Sequence, residues 1–208
     1  MAVVSLYVGT ARSFARAVAE IPADAWESPG LGEWNVRALV GHAARALDTV
    51  LDYVSLPEPE EATLPTAESY LAALTAESCD LSTGADPAAI TARGVAAGAA
   101  LGEQPAASVD SKVHAVGLLL TNQSPGRLVA VRGGSIPLEE YLRTRVFELV
   151  VHTLDLTRAT RIRADFPSGA VLEAARLAAG AAAVTGRGEE VLLALTGRGS
   201  LPHGFSVV

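Results

Sequence analysis

Glu148 and His152 stand four residues apart in the run Arg145-Val146-Phe147-Glu148-Leu149-Val150-Val151-His152-Thr153-Leu154-Asp155-Leu156. On a helix that spacing points both side chains from one face toward one spot. A carboxylate and an imidazole so placed can grip one divalent metal ion, or they can form a plain surface pair. His42 closes a second run, Trp34-Asn35-Val36-Arg37-Ala38-Leu39-Val40-Gly41-His42. Alone it reads as a partly buried histidine at the edge of an apolar face. It reads equally as a group that crosses to a neighbouring helix and joins Glu148 and His152.

The element that carries the pair is a helix from about Pro137 to Thr160. Val146, Phe147, Leu149, Val150, Val151, Leu154 and Leu156 cover most of its circumference. A projection at about 100° per residue puts Tyr141, Arg145, Glu148, His152, Asp155 and Ala159 on one narrow stripe. So wide an apolar arc exceeds what a surface helix needs, so the polar seam is expected to face a crevice. Arg145, one turn before Glu148, has the chemistry to hold a substrate carboxylate. Pairing with Glu148 or Asp155 is its simpler, structural role. Asp155, one turn after His152, is placed to orient a ligand or to cap a neighbouring backbone.

The helix carrying His42 starts at Asn35, a good N-cap, and Trp34 before it can staple onto Leu39. Apolar residues recur at Val36, Leu39, Val40, Ala43, Leu47, Val50 and Val54 with a period of about 3.6. Residues 2–21 form a first helix, ended by Pro22. A loop with Trp26, Pro29, Gly30 and Gly32 follows. Residues 55–65, with three prolines and Glu58, Glu60 and Glu61, read as an exposed acidic connection. Residues 66–81 and 87–102 are predicted helices, the latter capped by Asp86 and Pro87. Residues 112–120 and 127–132 hold β-branched and alternating apolar residues around Asn122–Gly126, which predicts a hairpin. Shorter helices are expected near 168–184 and 188–196, then an irregular tail.

The two separated runs together resemble the mycothiol-dependent maleylpyruvate isomerase family, within the larger DinB-like group of helix bundles. The resembling features are the tryptophan-led helix start with its histidine, and the later Glu-x-x-x-His-x-x-Asp on the last bundle helix. The resemblance covers roughly residues 2–160 and extends weakly into Leu192-Leu193-Ala194-Leu195-Thr196-Gly197-Arg198. It implies a mainly α fold: a DinB-like four-helix bundle with a small β-hairpin and a short C-terminal helical extension. The expected division is a metal-binding bundle over 1–162 and an extension over 163–208 packed on it. The resemblance also implies a metal held by His42, Glu148 and His152. Zinc is the first expectation, with nickel or another divalent ion as alternatives.

Three protein ligands leave a coordination position open, the pattern of a catalytic site. A coordinated thiol loses its proton and becomes a strong nucleophile. In the family that thiol is typically mycothiol, and it adds to an electrophilic substrate. The reaction is an isomerisation if the thiol leaves again and a transfer if it stays. Arg198 stands where some members use a substrate-contacting arginine; a surface arginine is the plainer reading. Full isomerases carry a longer C-terminal α/β segment, whereas residues 163–208 read as mostly helical.

The chain has 208 residues, a net charge of −7 and 50% hydrophobic residues, of which few are aromatic. It is too apolar for disorder. An acidic chain without a basic cluster is a poor partner for nucleic acid or anionic membranes. Its single cysteine, Cys79, excludes a disulfide framework and a multi-thiolate zinc site. No segment has the run of apolar residues that a membrane helix needs. No secretory signal is read, so a cytoplasmic location is expected. The expected partners are a small electrophile and a thiol, and the alanine-rich surface leaves room for a homodimer. Nucleotide loops and a serine-nucleophile elbow are absent. Against the metal-dependent thiol transferase or isomerase stand two alternatives. One is a non-catalytic metal-containing bundle that binds a small ligand or protein partner. The other is a bundle whose histidines are ordinary core edges.

Overall fold

The structure is a computed structural model that describes residues 2–79 and 87–207, with the side chains of 76–79 and 87 left aside. Four helices close a ring in which each touches the next. They are α1 (Ala2–Ala19), α5 (Pro105–Thr121), α2 (Val36–Val54) and α6 (Leu138–Thr160). Each turns a stripe of apolar residues inward at alternating spacings of four and three. On α1 these are Tyr7, Ala11, Phe14 and Val18; on α5 they are Val109, Val113, Val116 and Leu120. That repeat builds the seam of an antiparallel or parallel bundle, because it keeps one narrow face toward the axis. The fold is the four-helix bundle expected from the sequence.

The hairpin is placed differently from the sequence expectation. Residues 112–120 belong to α5, and the strands are β3 (Leu128–Val131) and β4 (Gly134–Pro137), paired antiparallel. The reason lies in the period. Val113, Val116 and Leu120 were read for their branching, but with Val109 they repeat at helical spacing, and burial against α1 and α2 outweighs a strand preference of that size. The strands join through Arg132 and Gly133, whose φ of 83° suits glycine. Asn122 instead ends α5. A second small ladder, β1 (Pro29–Leu31) with β2 (Trp34–Asn35), stands where the sequence suggested a loop.

The acidic connection 55–65 is tied down more firmly than expected. Glu58 accepts from the Leu128 backbone N–H at 2.8 Å, and Arg127 donates to the Val54 carbonyl at 2.8 Å. Ser135 and Thr63 bond each other's backbone N–H groups, with Ser135 also donating to the Glu61 carbonyl at 2.6 Å. The segment therefore lies along the hairpin.

Two helices flank the bundle near the chemistry. α4 (Pro87–Ala100) packs on α2, and α3 (Ala67–Cys79) lies against α6 and α7. The α2–α4 approach is set by glycine: a Cβ on Gly98 would stand 2.7 Å from the Arg37 carbonyl oxygen, and one on Gly41 would collide with the Gly98 backbone. The Asp86 cap expected for α4 lies outside the described residues. α7 (Ala170–Val184) packs on α6 and α3, and α8 (Gly188–Leu195) on α7. Arg143 fastens α3, α6 and α7, donating to Glu68 at 2.8 Å, Glu140 at 2.7 Å and Glu173 at 2.6 Å. Among the described residues no helix is long and apolar enough to cross a membrane.

Candidate metal centre

α2 and α6 adjoin in the ring, and this brings the two distant runs together. His42, Glu148 and His152 each offer one ligand atom, all within 4.8 Å of one another. His152 turns Nε2 toward Glu148 Oε2 at 3.2 Å, while its Nδ1 lies 3.3 Å from Asp155 Oδ2. The two imidazoles meet edge to face with centroids 4.8 Å apart. The cluster opens on one side, since 25% of the Glu148 side chain and 13% of that of His152 remain exposed.

The surroundings prepare each group differently. Burial holds His42 neutral, lowering its pKa to about 4, and the neighbouring His152 adds to this. Its Nδ1 is buried with no hydrogen-bond partner. Leaving such an atom unpaired costs roughly 1–3 kcal/mol, and a cation would take a free imidazole lone pair. Burial also works against a charge on His152, but the carboxylates of Asp155 and Glu148 outweigh it and raise its pKa to about 9. Burial would raise Glu148; its bond to His152 and the Arg145 charge prevail and hold it at about 2. The donor set is thus two imidazoles and one ionised carboxylate, and it suits zinc or another borderline divalent ion. Asp155 on Nδ1 of His152 fixes the ring so that Nε2 faces the cluster, the usual outer support of a ligating histidine.

Trp34 reaches α4 and His42. Its indole N–H donates to the Thr91 carbonyl of α4 at 3.0 Å, and its ring lies 4.4 Å from that of His42. Gly94 makes room for it, since a Cβ there would stand 2.6 Å from the indole. Asn35 caps α2 as expected, accepting from the Ala38 N–H at 2.8 Å.

Arg145 pairs with neither Glu148 nor Asp155. Its Nε donates to Thr144 at 3.1 Å and its guanidinium lies over the Tyr141 ring at 4.8 Å. Asp155 is taken by His152 and by Arg158 at 3.7 Å. Arg198 is not brought to the cluster; it is exposed after α8 and bonds the Thr196 carbonyl at 3.1 Å. Sequence reasoning missed Tyr53 and Tyr70, which stand with Tyr141 at centroid distances of 5.6 and 5.9 Å. They carry no motif; only their aromatic type in an aromatic-poor chain marked them. His114, expected on a strand, lies on α5 and is exposed. It lines a cavity of about 980 Å³ between α1 and α5 that includes none of the cluster residues.

The family model for the mycothiol maleylpyruvate isomerase N-terminal domain matches residues 9–157. The chain belongs to that family. The matched span runs from α1 to the last turn of α6 and contains all three members of the cluster. The family relates the chain to mycothiol-dependent isomerase and transferase chemistry on small molecules. Neither the curated proteins nor the solved structures give a match.

These charges predict how metal uptake depends on pH. At neutral pH His152 carries a proton between two carboxylates, whereas His42 is neutral and Glu148 ionised. An ion that takes Nε2 of His152 must displace that proton, so binding releases about one proton per ion. Affinity should therefore rise about tenfold per pH unit from near 5 up to about 9, then level off. Titration calorimetry in two buffers of different ionisation enthalpy measures the release. A heat independent of the buffer would show that His152 is not a ligand.

Proposed function

We propose that the protein is a metal-dependent thiol transferase or isomerase, with His42, Glu148 and His152 as the ligands of a divalent ion and a mycothiol-type thiol as co-substrate. The observation that supports it most is the meeting of His42 with the Glu148–His152 pair in a half-open cluster of neutral imidazole and ionised carboxylate. Zinc is the ion the donor set favours, with nickel as the alternative. When bound, the ion would leave one coordination position for the thiol and would hold it deprotonated at neutral pH. The residues of the chain do the rest. His42 and Glu148 supply one lone pair each without first losing a proton. Asp155 keeps the Nδ1 proton of His152 and so leaves Nε2 free to ligate. Trp34 covers the His42 ring and keeps water from that side.

The sulfur lone pair forms a C–S bond to an electron-poor carbon of the substrate. In an activated alkene the π electrons move onto the conjugated carbonyl oxygen. Rotation and loss of the same thiolate restore the double bond and complete an isomerisation. Uptake of a proton at carbon instead leaves a thioether, which is transfer.

The test is turnover of activated alkenes and epoxides in the presence of mycothiol, followed by free-thiol titration for transfer and by loss of the starting alkene isomer for isomerisation, which consumes no thiol. Zinc-loaded protein is expected to accelerate it, chelation to abolish the acceleration, and re-addition of zinc to restore it. Acceleration that survives chelation would refute the metal role. A bound metal with no acceleration for any electrophile would favour the non-catalytic ligand-binding bundle.

A further inference from the structure

α8 has no buried side chain along its length. Isolated helices shorter than about 12–15 residues are marginal in water, so a helix this short needs packing. Val191 and Ala194 are half-buried, and α8 packs on α7. Leu192, Leu193 and Leu195 turn outward. Leu192 is 62% exposed, and Leu195, at 76%, is the most exposed large apolar side chain among the described residues. Leu192 and Leu195 are three apart and share a face. Leucines gathered on one short helix form a patch, whereas single exposed ones are ordinary. Glu189 opens the helix without an ion-pair partner among the described residues, and Glu190 reaches Arg187 only at 3.7 Å.

The groove between α1 and α5 is the counterpart of this helix. Its volume is about 980 Å³, and no residue of α8 lines it. It runs from Val4 to Ala19 on α1, a length of about 22 Å. Val8, Ala15 and Val113 give it an apolar wall, and at Gly117 an added Cβ would meet nothing within 4 Å. Arg12 lines it as well, exposed and without an ion-pair partner among the described residues. A helix about 12 Å long and about 10 Å wide lies within that length. The spacing of charge and apolar groups also matches. Glu189 precedes Leu192 by one turn and Leu195 by two, and Arg12 stands one turn from Val8.

We propose that the groove between α1 and α5 receives α8 of a second copy of this chain, with Glu189 at Arg12 and Leu192 and Leu195 over Val8 and Gly117. Both halves of the contact belong to one chain: an apolar groove with a basic residue, and an apolar helix with an acidic one. A dimer in which each copy lends its α8 to the other forms the contact twice under one two-fold axis and leaves neither surface open. The unlike charges fix the direction in which the helix lies. His42, Glu148 and His152 do not line the groove, so the inference does not rest on the proposed metal chemistry.

Sedimentation velocity on the full chain, over a range of concentrations, is expected to show a dimer. Leu195→Asp removes the helix half of the contact and Gly117→Phe fills the groove half. Each variant alone is expected to be a monomer with an unchanged circular dichroism spectrum. Mixed, the two should form a dimer again, weaker than the wild type, because one keeps its groove and the other its α8. Arg12→Glu should weaken the wild-type dimer about tenfold or more, and Glu189→Arg added to it should restore most of the loss. A wild type that stays monomeric at every concentration would overturn the proposal. So would a dimer in Gly117→Phe alone, which would mean that α8 pairs with α8. A dimer in Leu195→Asp alone, or a mixture that stays monomeric, would overturn it equally.

Discussion

His42→Ala is expected to leave the purified protein without metal, whereas the wild type holds about one divalent ion per chain. His42 supplies the only cluster ligand from α2, and it is the one already neutral, so removing it leaves two ligands from a single helix. Affinity should fall by more than about 100-fold, above the range for an outer-sphere partner. Asp155→Asn provides the graded comparison. It keeps the size of the side chain but removes the charge 3.3 Å from Nδ1 of His152, and a loss of about 10–100-fold is expected. Metal content by mass spectrometry, on protein without a histidine tag, decides the matter, with circular dichroism showing that the bundle persists. Equal metal content in wild type and His42→Ala would mean that the ion lies elsewhere.

Gly98→Ala should destabilise the protein while Gly117→Ala should stabilise it, although the chemical change is the same. At Gly98 the new methyl would stand 2.7 Å from the Arg37 carbonyl oxygen and 2.9 Å from the Ala38 Cα, and backbone cannot swing aside as a side chain can. α4 must move off α2, at a cost of about 1–3 kcal/mol. The movement loosens the Trp34 bond to Thr91 and the wall beside His42, so metal affinity should fall as well. At Gly117 on α5 the methyl meets nothing within 4 Å, and the helix gains about 0.5–1 kcal/mol. Urea unfolding midpoints measure both. A shift of the same sign in the two variants would show that α4 does not rest on α2 through Gly98.

Much of this was legible from residues alone because it is local. Asn35 caps α2 through its own side chain and the backbone three residues on. The spacing of Glu148, His152 and Asp155 is a property of one helix, so their mutual distances follow once α6 forms. Residues of the same kind mislead when one type serves two periods. The valines of α5 suit a strand by their branching and a helix by their spacing, and only the presence of α1 and α2 to cover them decides.

The sequence by itself determined the chemistry on offer: which residues can ligate, on which helices, and in a chain with too little positive charge for a phosphate backbone. Tertiary structure decided what each group meets. It set His42 within reach of Glu148 across two helices, bound Trp34 to α4 beside His42, and left Arg145 with no carboxylate at ion-pair distance among the described residues. The physical reason is that periodicity specifies the face a residue occupies, whereas burial cost, counter-charge and ligand distance depend on the neighbouring element. That neighbour is chosen by close packing, here by glycines that let α2 and α4 touch, and close packing depends on residues far apart in the chain.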